Sequence, residues 1–96
     1  MKVKPYILVR VEIFRENRHY VSICPELNVS SFGDTVEEAK HSLQEAVTLF
    51  LEECNRMGTL KSVLEEAGFS HIARPISQWI PPQPIGIEQL QVKLAQ

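Results

Sequence analysis

The first strand-like stretch of the chain alternates. In "YILVRVEIF", Ile7, Val9, Val11 and Ile13 fall on one parity, while Tyr6, Leu8, Arg10, Glu12 and Phe14 fall on the other. Period-two spacing of this kind predicts a strand with one apolar and one mixed face. "RENR" then reads as a polar hairpin turn and "HYVSIC" as a second strand, with Val21 and Ile23 expected to extend the buried face. Pro25 ends that strand, because proline has no N–H to offer a ladder. "NVSSF" suits a short third strand leading to Gly33.

The period changes in "FGDTVEEAKHSLQEAVTLFLEEC". Thr35 is placed to cap a helix by accepting from the Glu38 N–H, with the Glu38 carboxylate reaching back. Asp34 and Glu37 add negative charge at the positive end of the helix dipole. Val36, Ala39, Leu43, Ala46, Val47, Phe50, Cys54 and Met57 fall in one arc at about 100° per residue. Gly58 is the natural stop. The helix is expected to run roughly 22 residues, about 33 Å, enough to cover a small sheet. Leu49 points about 120° from the centre of the arc. It is either shielded by a second short helix in "TLKSVLEEAG" or it meets a partner.

After Gly68 the character shifts. "FSHIARPISQWIPPQPIG" holds four of the six prolines and the single tryptophan, Trp79. Such a stretch predicts an extended connector. "IEQLQVKLAQ" alternates again, with Leu90, Val92 and Leu94 on one side. A terminal strand on a long arm either returns to its own sheet or adds to the edge of another copy. The expected class is therefore α+β: a three-stranded antiparallel sheet covered by one long helix, in β-β-β-α(-α)-β order. Residues 1–70 form the domain, 71–84 the Pro-rich connector, and 85–96 a C-terminal strand of the same domain or of a swapped oligomer.

Composition narrows the function classes. Ninety-six residues hold a single core, and 44% apolar with 23% charged residues is a globular balance rather than a disordered one. Ten basic and twelve acidic residues carry no run of one sign, which argues against the basic stripe of a nucleic-acid binder. No window reaches the ~20 apolar residues of a membrane helix. The basic-then-apolar N-terminus is broken by Arg10 and Glu12 and lacks a small-residue cleavage site, so a cytoplasmic location is expected. Cys24 and Cys54 are then expected as free thiols.

Candidate chemistry is sparse. His19, His41 and His71 have no metal-ligand spacing to each other or to the cysteines. Cys54 lies on the apolar arc, whereas Cys24 ends a strand and is expected to be more accessible, with no histidine paired to it in the sequence. A metal-dependent nuclease would need converging carboxylates, and Glu12 with Asp34 is the one candidate pair. Asp34, the single aspartate, already serves the helix start. Gly33 stands alone, without a phosphate loop. Tyr6, Phe14 and Tyr20 near Arg10 have the chemistry to stack bases, but their spacing matches no RNA-recognition motif, and an interface explains them equally. No catalytic, metal-binding or cofactor-binding residue is expected, so the chain reads as a non-enzyme.

From "HYVSIC" through "PEL" and "FGDTVEEA" to the long helix, the chain resembles the HicB-type antitoxin domain, a partial ribonuclease-H-like fold. Pro25, Glu26 and Leu27 match its Pro-Asp-Leu turn; Gly33, Asp34 and Thr35 match its Gly-Asp-Thr helix start; Glu37, Glu38 and Ala39 match the first helical turn. The likeness covers about residues 5–60. Asn28-Val29-Ser30 departs from the family's Pro-Gly-Cys, and Asn17-Arg18-His19 from its aromatic-glycine hairpin. The resemblance implies a protein that neutralises a HicA-type messenger-RNA endonuclease by covering it. It also leaves open an orphan oligomeric module without a toxin. Many members carry a C-terminal DNA-binding module, for which the residues after Gly68 are too few and too proline-rich. Self-association as a dimer or tetramer is expected, through Tyr6, Phe14, Tyr20, Trp79 and the terminal strand.

Overall fold

The computed structural model describes residues 6–95; residues 1–5 and 96 of the expected first and last segments lie outside them. In chain order the elements are β1 (Tyr6–Ile7), β2 (Glu12–Glu16), β3 (His19–Cys24), a 3-10 turn (Pro25–Leu27), β4 (Val29–Gly33), α1 (Val36–Met57), α2 (Leu60–Glu66), β5 (Ser70–Ile72) and β6 (Gln78–Ile80). The class is α+β, with an antiparallel sheet β2-β3-β4 and one long and one short helix. A second small sheet, ordered β1-β6-β5, was not expected.

Three differences from the expected order have physical causes. The first strand is divided, because β1 pairs in parallel with β6 while β2 pairs antiparallel with β3. Residues 8–11 carry the chain from one sheet to the other. The stretch expected as a bare connector, 71–84, contains β6 and most of β5, which pair through Ser70↔Ile80 and Ile72↔Gln78. Its prolines lie outside those two strands, where no ladder N–H is missed. Residues 81–95 form neither helix nor strand, so within this single chain the expected terminal strand at 85–96 is absent over its described residues.

The β2-β3 turn is only two residues long, Asn17 and Arg18, with Asn17 in the left-handed region at φ 58°, a conformation asparagine tolerates. That length sets Glu16 opposite His19, and hence Ile13 opposite Ser22 and Phe14 opposite Val21. Val21 and Ile23 therefore lie on the face with Phe14, not with Ile13, which corrects the expected buried face. The residues of β3 turned toward α1 are Ser22 and Cys24, both fully buried.

Small residues let the helix start come close to the sheet. The Ser22 hydroxyl donates to the Ala39 carbonyl at 2.7 Å, and a Cβ on Gly33 would lie 2.6 Å from the Ala39 nitrogen. At the far end Gly58 adopts φ 76°. Its N–H donates to the Asn55 carbonyl and the Thr59 N–H to the Cys54 carbonyl, which satisfies the last turn. The buried stripe of α1 is Ala39, Leu43, Val47, Leu51 and Cys54. It is turned toward Leu51 relative to the expected arc, leaving Val36, Phe50 and Met57 exposed. The cause is the second layer. Leu51 shares its core with Leu64 of α2, Phe69 and Trp79 of β6, as well as with Cys24 and Leu27 beneath the sheet.

Candidate functional site

The acidic motif residues that open α1 are engaged locally. The Glu38 N–H donates to Thr35 Oγ1 at 3.0 Å, and the Glu38 carboxylate accepts from the Asp34 N–H at 2.9 Å. The return bond thus reaches one residue before the cap rather than the cap itself. The other partner of Asp34 is His19 Nδ1, 3.0 Å away across the hairpin end. Arg10, in the crossing between the sheets, bonds Glu12 at 2.6 Å and Glu26 of the 3-10 turn at 2.8 Å. These two carboxylates raise the Arg10 pKa by hydrogen bonding, so the guanidinium stays charged.

Glu12 and Asp34 are not brought together. Glu12 is three positions along β2 from Arg15, which faces Tyr20 and then Gly33 across two strand spacings. Ladder geometry makes the diagonal from Glu12 to Gly33, the residue before Asp34, about 14 Å, and each acid has a separate partner, Arg10 for Glu12 and His19 for Asp34. Among the described residues no group of three or more His, Cys, Asp or Glu is placed to hold a metal ion. His41 pairs with Glu45 one helical turn on, and His71 with Ser77.

Cys24, expected as the more accessible thiol, is fully buried, and Cys54 nearly so; both are free. Burial pushes the Cys24 thiol above its ordinary 9.0, since a thiolate there would lose its hydration. The resulting stabilisation is complete below the unfolded value and is lost as pH rises through the raised folded one. Neither thiol should react with an aromatic disulfide reagent at pH 8 in the native state, and both should react at once in denaturant. Rapid labelling of one thiol in the native protein would contradict this burial.

Two surfaces remain for contacts. The first is the outer face of the β2-β3-β4 sheet, where Phe14, Val21 and Phe32 are ladder neighbours across all three strands. Phe14 is 52% and Phe32 67% exposed. The His19 ring meets the Phe32 ring edge-on at 6.4 Å between centroids. A shallow depression of about 340 Å³ beside it is lined by Glu16, His19, Val21, Ser30 and Phe32 among others. Glu16 shares the parity of Phe14 and edges the patch with negative charge, whereas Glu12, on the same parity, is paired with Arg10.

The second surface is a groove of about 630 Å³ between the first strand and α1. Its floor is the odd parity of the strand, Ile7, Val9, Val11 and Ile13, and its wall is Leu43, Val47 and Leu51. Lys40, Gln44, Thr48, Glu52 and Asn55 form the polar rim. The groove is open along one side, because β1 and β2 are each the terminal strand of their sheet.

The residues expected to make contacts divide. Tyr6, Phe14 and Leu49 are exposed, so α2 does not shield Leu49. Leu90, Val92 and Leu94 are exposed on the terminal segment. Tyr20 shares the helix-facing parity with Ser22, opposite Phe14, and is half-buried. Trp79 is a core residue stacked near His71 and is not a surface contact. Phe32 is the large exposed aromatic on this face that the sequence expectations do not include; its alternation with Ser30 in β4 is the available signal. No helix among the described residues is long and apolar enough to cross a membrane. No family model, curated protein or solved structure matches the chain.

Proposed function

We propose that this chain acts by protein contact, as a HicB-like antitoxin that neutralises a HicA-type messenger-RNA endonuclease in the cytoplasm and does no chemistry itself. The observation that carries the reading is the uncovered outer sheet face, with Phe14 and Phe32 flanking Val21. Aromatic anchors ringed by polar groups are what tight protein interfaces concentrate at their centres. Glu16 beside them suits an RNA-cutting partner, whose substrate surface must be basic to hold phosphates. The motif residues Pro25, Gly33, Asp34, Thr35 and Glu38 support this reading indirectly, because each is committed to a turn, a close approach or a cap.

Co-expression with the product of the adjacent reading frame tests the proposal. A HicA-type toxin should be lethal alone, tolerated with this chain, and recovered with it as a complex. Undiminished lethality with no complex would overturn the reading.

A further inference from the structure

The terminal segment and the groove beside α1 have matching chemistry and no contact with each other. Ile85, Ile87, Leu90, Val92 and Leu94 are each at least 77% exposed. The chain extends 59 Å along its longest axis against 31 and 26 Å across. Its radius of gyration is 16.2 Å, where a compact chain of this length measures about 13 Å. A folded chain rarely leaves so many large apolar side chains in water without a partner for them.

The groove is the shape such a segment requires. The Tyr6 N–H donates to the Ser77 carbonyl just before β6 and the Leu8 N–H to the Trp79 carbonyl within it, and the even residues of β2 lie on the same parity. The odd residues, whose backbone groups point to the other side, therefore lie along an edge that pairs with no strand among the described residues. The run from Ile7 through the crossing to Ile13 spans at most about 20 Å, and Leu90 to Leu94 in extended form spans about 13 Å. A strand added there would set Leu90, Val92 and Leu94 against the wall of α1 and leave Gln91 and Lys93 toward solvent. Backbone bonds supply the pairing and alternate side chains the specificity, as in other strand additions.

We infer that the groove is filled by the C-terminal strand of a second copy of this chain, the two copies exchanging tails reciprocally. The exit of the tail favours a second copy over the tail's own groove. Residues 81–95 leave from β6, which lies across β1 from the open edge, and Pro81, Pro82 and Pro84 stiffen the departure. A two-fold exchange would bury six large apolar side chains, Leu90, Val92 and Leu94 of each copy, and add a strand to each edge. The contact is self-complementary, as two-fold dimers require. The inference does not depend on a toxin, since the aromatic patch on the outer sheet face stays free.

Light scattering of the purified full chain should give twice the 11.0 kDa of one copy, and the chain lacking residues 85–96 should give a monomer with an unchanged helical signal. Should the bared groove make the truncated chain aggregate, Leu90→Glu/Leu94→Glu reads the same change with a charged tail. Register is tested by mixing a Val11→Cys protein with a Val92→Cys protein under mild oxidation, which should yield a covalent dimer of one of each. A monomeric full chain, a dimer that survives both tail variants, or a cross-link formed only within a chain carrying both substitutions would overturn the inference.

Discussion

Gly33→Ala is expected to destabilise the protein by about 3 kcal/mol, the upper end of overpacking costs. In a domain of this size that lowers the melting temperature by roughly 15 °C. The added methyl would sit 2.6 Å from the Ala39 nitrogen and 2.8 Å from the Glu38 carbonyl carbon. Backbone of a capped helix start cannot swing aside as a flexible side chain can. The helix must lift from the sheet, and the Ser22 to Ala39 bond lengthens with it. Gly58→Ala separates sterics from conformation, because nothing lies within 4 Å of a Cβ there and only the positive φ is strained. Its cost should be about 1 kcal/mol. Urea midpoints for the two variants decide the matter; equal losses would mean that the close approach at Gly33 contributes nothing special.

Leu43→Ala should cost about 3 kcal/mol, within the range for a leucine lost from a packed core. Leu43 is 1% exposed, on the stripe of α1 that covers the sheet. Leu49→Ala, on the same helix but 67% exposed, should stay within about 0.5 kcal/mol. Measured by chemical unfolding of both, a large loss at Leu49 would mean that a partner surface is already part of the folded unit. Leu43 also walls the groove, so its removal should weaken self-association in addition to stability.

How far the sequence carried can be judged residue by residue. The cap at Thr35, the stop at Gly58 and the strand His19–Cys24 rest on local chemistry, and local chemistry is visible in a window of a few residues. The face assignment of β3 failed for a single reason. A two-residue turn pairs odd positions with even ones, so alternation does not carry its parity across the hairpin. Ser22 and Cys24 therefore face the helix, while Val21 and Ile23 join Phe14. Once that turn length is known, the aromatic patch of Phe14 and Phe32 follows from the register. The split of the first strand and the parallel pairing of β1 with β6 rest on contacts about seventy residues apart, for which no local pattern exists. Trp79 was misjudged for the same reason: its burial depends on Leu51, Leu64 and Phe69 meeting it from other elements.

The most direct measurement is titration calorimetry of the proposed partner, a HicA-type endonuclease in an inactive form, against wild type and against Phe14→Glu/Phe32→Glu. Both side chains are exposed, so the variant should melt within a few degrees of wild type and keep its oligomeric state. Wild type should bind the toxin, and the variant at least a hundredfold more weakly, with neutralisation lost in parallel. Equal affinities for the two proteins, or no binding by wild type, would contradict a contact made through the outer face of the sheet.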